Sequence, residues 1–221
     1  MAEIGVLLGG CGARDGSEIH EAVLTLLALD KAEAIIKIIA PDRPQFDVIN
    51  HINGNKMDEE RNILVESARI ARGEIITIDS KISGQVDALI LPGGTGTASN
   101  IFNYNSAGIN FEVLKEVEYL VSQIIKSGKP IGAICIAPVM IAKILQKLGL
   151  SGNLTGGFNE KIIDDIEAMG SKTERVGPTE IVVDEVNKIV STPAYVEANS
   201  IKEVACGIEK LVDKIMEMLS A

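Results

Sequence analysis

The chain has 221 residues, 46% hydrophobic and 24% charged, which suits one large α/β domain and excludes a disordered chain or a coiled coil. Its 31 acidic and 21 basic residues give a net charge of −10, a surface that repels nucleic acid and anionic membrane. Aromatic residues are 3% with no Trp, so broad stacking surfaces for bases or sugars are excluded too. Three cysteines, an odd number in a chain too large to need staples, point to reduced thiols and a cytoplasmic setting. No apolar run reaches the roughly 18 residues of a membrane span. The first residues, Met1-Ala2-Glu3-Ile4-Gly5-Val6, read as a strand, with neither the basic region nor the cleavage pattern of a signal peptide.

Residues 4–8 are a short apolar run stopped by Gly9-Gly10-Cys11-Gly12. The helical pattern over about 17–31 places Val23, Leu24, Leu27 and Ala28 on one face. A second apolar run, 34–40, closes at Pro41, and the segment 41–57 has no period, as expected of a surface loop near a site. Asp58 is expected to cap a helix reaching about Arg72 and ending at Gly73. The strand 86–91 runs into Pro92-Gly93-Gly94-Thr95-Gly96. A helix over about 111–127 carries Val113, Leu114, Val117, Leu120, Val121 and Ile124, with Gly128 as its stop and Pro130 opening the strand 131–135. Helices follow at 137–147 and 160–169, then a hairpin from 181–184 and 188–191, then a helix over about 199–219. Uniformly apolar strands alternating with helices imply a mostly parallel sheet covered on both faces. The expected fold is therefore a three-layer α/β/α sandwich with a late β-hairpin, as a single domain over 1–221.

In an open parallel sheet, ligands bind outside the carboxyl ends of the strands, and three segments converge there. The first is the loop from Gly9 to Glu18, the second is Pro92 to Gly96, and the third is Ala133-Ile134-Cys135-Ile136-Ala137-Pro138. Cys135 ends an apolar strand between small residues with a helix directly behind it, the sterics of a nucleophile elbow. A thiol at a helix N-terminus meets the positive end of the dipole, which favours thiolate. The position equally suits a buried cysteine acting as a small hydrophobe. Gly93 and Gly94 expose N–H groups that could form an oxyanion nest, with Ile136 beside the sulfur, or could simply make a tight turn. Glu18, in the first turn of its helix, is the candidate carboxylate, although the dipole alone favours an acid there. Cys11, Gly12 and His51 could line the same pocket. Cys206 belongs to the last helix and is expected to be inert, and His20 is expected on a helix surface. Asp15 stands where a dinucleotide fingerprint would need its third glycine, and no zinc pattern exists among two histidines and scattered cysteines. No metal and no cofactor is expected.

Taken together, these segments resemble the ThiJ/PfpI branch of the class I glutamine amidotransferase-like superfamily, most closely the ElbB group, described as glyoxalase or enhancing-lycopene-biosynthesis proteins. The resemblance rests on Gly10-Cys11-Gly12, Asp15-Gly16-Ser17-Glu18-Ile19-His20-Glu21-Ala22, Asp47-Val48-Ile49-Asn50-His51, Arg72-Gly73-Glu74-Ile75, Pro92-Gly93-Gly94, Cys135-Ile136-Ala137-Pro138 and Thr192-Pro193-Ala194-Tyr195. It implies a flavodoxin-like sandwich with a mostly parallel sheet, Cys135 as nucleophile, Glu18 as its carboxylate partner, the glycines Gly93 and Gly94 at the oxyanion position, and a homodimer. It also implies a cofactor-independent glyoxalase that converts glyoxal to glycolate through a cysteine hemithioacetal, acting on a small aldehyde. Two alternatives stay open: a protein deglycase on the same Cys–Glu dyad, and a redox-responsive accessory protein without turnover. One departure matters. Both histidines precede Cys135, so no Cys-His-Glu triad in the amidotransferase order exists and glutamine hydrolysis is not expected.

Overall fold

In the computed structural model, which describes residues 1–220, the N-terminal apolar run becomes β1 (Glu3–Leu7), and the helical pattern behind the glycine loop becomes α1 (Ile19–Lys31). There follow β2 (Ile35–Ala40), α2 (Ile63–Ile70), β3 (Ile76–Thr77) and β4 (Ala88–Leu91). Two single-turn helices, α3 (Thr97–Asn100) and α4 (Tyr104–Ala107), precede α5 (Lys115–Lys126), β5 (Ile131–Ile134) and α6 (Ala137–Leu148). The chain closes with β6 (Asn153–Leu154), α7 (Glu160–Ala168), β7 (Lys172–Thr173), β8 (Val182–Asp184), β9 (Ile189–Thr192) and α8 (Ile201–Ser220).

Seven strands form one sheet in the order β3-β2-β1-β4-β5-β9-β8, all parallel except the β8–β9 hairpin. This is the three-layer sandwich that the alternating pattern implied, flavodoxin-like as the resemblance implied. The chain leaves β1 toward β2 and β3, then returns to β4 on the other side, so strand order reverses at β1 and β4. A crevice opens outside the carboxyl ends of the strands at such a reversal. Side-chain alternation sorts the core. Ile4, Val6, Ile90, Ile134 and Val190 pack beneath α1 and α8 with Val204, Ile208, Leu211 and Ile215. Leu7, Leu89, Leu91, Ile131 and Ala133 face the opposite layer, with Val117, Leu120 and Ile124 of α5 and Ile141 and Leu145 of α6.

Three local readings are corrected. The buried face of α1 is Glu21, Ala22, Thr25, Ala28 and Leu29, while Val23 and Leu27 face solvent. Contact with α8 selects small residues, which let two helices approach closely, over the larger aliphatics. α2 is capped by Asn62, whose Oδ1 accepts from the Val65 N–H at 3.1 Å, and not by Asp58. The residues ahead of Asn62 are held extended against 43–45, where Gln45 N–H donates to the Arg61 carbonyl at 2.8 Å. α5 likewise starts at Lys115 because Val113 is drawn into a bridge with Phe102. The parallel pair β6–β7 was not anticipated; two-residue strands leave no period to read.

Two glycine loops close the carboxyl edge by interlocking their main chains. Gly96 N–H donates to the Ala13 carbonyl at 3.2 Å, and Thr97 N–H to the Gly16 carbonyl at 2.9 Å. A Cβ on Gly96 would lie 1.7 Å from the Gly16 nitrogen and 2.1 Å from the Asp15 carbonyl carbon. Gly96→Ala must therefore drive the two loops apart. It is expected to destabilise the protein by at least about 2 kcal/mol, seen as a lowered midpoint in thermal unfolding.

Candidate active site

Cys135 occupies the bend between β5 and α6 with φ of +62°, a left-handed conformation at a non-glycine residue. Its N–H donates to the Thr192 carbonyl at 2.9 Å, and Pro138 sits in the first turn of α6, where its missing N–H costs nothing. Held this way, the side chain leaves the strand line and meets the N–H groups of Gly94 and Ile136, both of which favour the thiolate. Backbone strain of this kind costs on the order of 1–3 kcal/mol and persists where surrounding structure enforces it. Close packing does so here: a Cβ on Gly93 would lie 2.6 Å from the Cys135 Cβ.

The carboxyl brought to the sulfur belongs to Glu21. It is fully buried beneath the bend and converges with Cys135 on one point, since a Cβ on Gly93 would lie 2.6 Å from the Cys135 Cβ and 2.9 Å from Glu21 Oε2. Glu21 Oε2 accepts the Gly93 N–H at 2.9 Å, and Oε1 accepts the Tyr195 N–H at 3.3 Å. Burial, with the charge of Glu18 nearby, pushes Glu21 up to about 8, against which the Gly93 and Tyr195 N–H groups act only in part. At neutral pH the carboxyl therefore carries its proton.

The expectation for the thiol changes as well. The residue keeps part of its surface accessible, but burial and then the Glu21 charge push the Cys135 thiol well above the usual thiol range, outweighing the two N–H donors. The low-dielectric surroundings oppose the charge that the helix terminus favours. Protonated Glu21 removes one of these two obstacles, so the pair gains and loses protons as a unit.

Glu18, the acid expected at the sulfur, is instead the N-cap of α1, its Oε2 accepting the Glu21 N–H at 2.8 Å while its own N–H donates to the Gly93 carbonyl at 3.0 Å. Holding the first turn occupies the carboxylate and leaves the next turn's acid facing inward. Gly93 gives its N–H to Glu21, so the donors aimed at the sulfur are Gly94 and Ile136. Cys11, Gly12 and His51 gather around a different group, Asp15. His51 Nε2 accepts the Arg14 N–H at 3.2 Å and lies 3.6 Å from Asp15 Oδ1. A Cβ on Gly12 would strike Asp15 and His51. Cys11 is half-buried toward Glu66, Arg69 and Asp15, and burial followed by Glu66 raises its thiol. These residues brace the first glycine loop. Cys206 lies on α8.

Glu21 and Tyr195 lay inside motifs already noticed, yet neither was singled out. The signal for Glu21 was its phase: an acid spaced with Ala22, Thr25 and Ala28 on the face that α1 buries. Tyr195 contributes through its main chain, for which residue type carries no signal.

Residues 12–198, spanning the glycine loop, the bend cysteine and the turn after β9, match the DJ-1/PfpI family. The chain belongs to that family. Among similar DJ-1/PfpI relatives is the human protein named glutamine amidotransferase-like class 1 domain-containing protein 3, mitochondrial, 38% identical with 98% of this chain and 83% of that one covered. The rat ES1 protein homolog, mitochondrial, is 37% identical, covering 98% and 84%. A crystal structure from Ehrlichia chaffeensis, described as an isoprenoid biosynthesis protein with an amidotransferase-like domain, superposes with a TM-score of 0.90 at 36% identity, covering 98% of this chain and 99% of the other.

A buried acid held protonated leaves a mark on stability. An unfolded glutamate ionises near its ordinary 4.5, and Glu21 in the folded protein near about 8. Between those values the folded state binds the extra proton, so this contribution to stability is full below the lower value and is lost as pH rises through the upper one. Glu21→Gln is expected to flatten that decline when urea unfolding is followed across the window; an unchanged slope would place the ionisation elsewhere.

Proposed function

We propose that this DJ-1/PfpI protein is a cofactor-independent glyoxalase that converts glyoxal, and small 2-oxoaldehydes like it, to the hydroxy acid. The family includes glyoxalases and deglycases. The observation that carries the reading is a half-buried cysteine in a left-handed bend, with two N–H groups that favour its thiolate, packed on a carboxyl that is neutral at pH 7.

The roles follow from where the proton sits. The reactive form of the pair is thiolate with neutral carboxyl. Sulfur adds to one aldehyde carbon, and Glu21 protonates the new alkoxide, with Gly94 and Ile136 N–H groups at hand for the developing negative charge. This yields a hemithioacetal and leaves Glu21 ionised. A carboxylate whose conjugate acid ionises near about 8 is a stronger base than an ordinary one, suited to removing the carbinol C–H proton. Through the enediol the same proton passes to the neighbouring carbon, while the hydroxyl on the sulfur-bearing carbon gives its proton to the former aldehyde oxygen and becomes a carbonyl, leaving an S-glycoloyl thioester and Glu21 again ionised. Water cleaves the thioester, glycolic acid leaves, and the pair again holds one proton. The net reaction is glyoxal plus water to glycolic acid, with no external oxidant. Glutamine hydrolysis is not part of this proposal, because both histidines precede the nucleophile and the segment after α6 offers none.

Carbonyl-substrate profiling with product identification by NMR tests the assignment. Cys135→Ser is expected to abolish glycolate formation, and Cys11→Ser to leave most of it. Glu21→Gln should still be alkylated at Cys135 but form no glycolate. Glu18→Ala should cost about 1 kcal/mol of stability as a lost helix cap while retaining turnover. Wild-type glyoxal consumption by Cys135→Ser would overturn the nucleophile, and a normal rate in Glu21→Gln would remove the carboxyl from its role.

A further inference from the structure

Two residues beside Glu21 have no part in the chemistry above. His20 is solvent-exposed in the first turn of α1, with Nδ1 2.7 Å from the Tyr195 hydroxyl, a bond between residues 175 positions apart. The two rings lie 5.8 Å apart between centroids and tilted by 45°. The main chain of Tyr195 also reaches the reactive pair, since its N–H donates to Glu21 Oε1 at 3.3 Å. That N–H is delivered by Ala194, a fully buried alanine with φ of +44°, a conformation alanine holds only where its surroundings enforce it. On one side the Ala194 carbonyl accepts the N–H groups of Glu197 and Ala198 at 3.0 and 2.8 Å. On the other, the side-chain tie to His20 fastens the turn to the helix that carries Glu21.

We propose that His20 and Tyr195 form a latch between α1 and the turn after β9 that keeps the Tyr195 N–H on Glu21, making both positioning residues for the Cys135–Glu21 pair. The inference rests on reading that pair as the reactive one, and it assigns a task to a histidine that directly precedes Glu21, the first residue of the face that α1 buries. Neither side chain needs to touch the substrate. The strained turn would otherwise relax, and the longest of the bonds holding Glu21 would be the first lost.

The consequence has a definite sign. Glu21 is faced by Glu18 from its own helix, by the Cys135 thiol from the bend after β5, and by Tyr195 from the turn after β9. Of these, Glu18 opposes the Glu21 charge, while the Tyr195 N–H, the Gly93 N–H and the thiol favour it. Releasing the latch withdraws one favouring donor, so Glu21 keeps its proton to higher pH. Because the Glu21 charge opposes ionisation of Cys135, the thiol then ionises at lower pH.

The test uses the full chain and iodoacetamide, following alkylation of Cys135 by peptide mass spectrometry across the neutral and alkaline range. Tyr195→Phe and His20→Ala are each expected to lower the midpoint by about half a pH unit, and the double variant by no more than either alone. His20→Asn, which restores a polar atom near the Nδ1 position, should return the midpoint toward wild type. Midpoints that coincide with wild type, move upward, or add in the double variant overturn the latch, even if the melting temperature falls. Glu21→Gln is run alongside: if it leaves the midpoint unmoved, the coupled pair itself is wrong and the latch falls with it. Because alkylation needs no turnover, absence of glycolate formation would count against the glyoxalase reading alone.

Discussion

The site depends on placing one carboxyl where water does not reach. Glu21 is surrounded by main-chain N–H groups from two loops and by a thiol from a third, and with that environment it stays neutral where an exposed glutamate would be charged. The cost of burying an acid is contained by hydrogen bonds and by the retained proton, and that proton removes a charge that would oppose ionisation of the neighbouring sulfur. Moved to the surface, the same side chain would be an ordinary anion repelling a thiolate.

The sheet supplies the geometry for this burial. Reversal of strand order at β1 and β4 opens the crevice, and three loops leaving the carboxyl ends of β1, β4 and β5 enter it. They fit only because glycines stand at the closest approaches: Gly93 lies against Cys135, and Gly96 against Gly16. Two non-glycine residues with left-handed backbones, Cys135 and Ala194, bring their groups to Glu21 from opposite sides. Of the left-handed non-glycine residues, Glu33, Arg72 and Lys188 lie in surface turns away from Glu21, whereas Cys135 and Ala194 hold their strain at the buried carboxyl.

Much of this was legible beforehand, for reasons that differ by element. The strands were readable because burial on both faces demands unbroken apolar runs, as in residues 88–91 and 131–134. The elbow was readable at Cys135 because steric crowding demands small neighbours there. The carboxyl partner was misassigned for a physical reason. Glu18 and Glu21 lie one helical turn apart, and both suit the positive end of α1. Choosing between them requires the rotation of α1 about its axis, and the larger aliphatics Val23 and Leu27 suggested the wrong face. Of the three residues expected to offer N–H groups, Gly93 drops out because its N–H is already spent on Glu21, which leaves Gly94 and Ile136 facing the sulfur.

By itself the sequence determined the layer architecture, the late hairpin, the glycine loops at the carboxyl edge and the cysteine at the bend, since each follows from local periodicity, glycine placement or steric allowance. The tertiary structure alone decided which acid meets the sulfur, which N–H groups remain free, and that His20 reaches Tyr195 across 175 positions. These depend on how α1 rotates against α8 and on how three loops share a small set of main-chain donors. Such choices are settled by packing among distant segments, and no local pattern carries them.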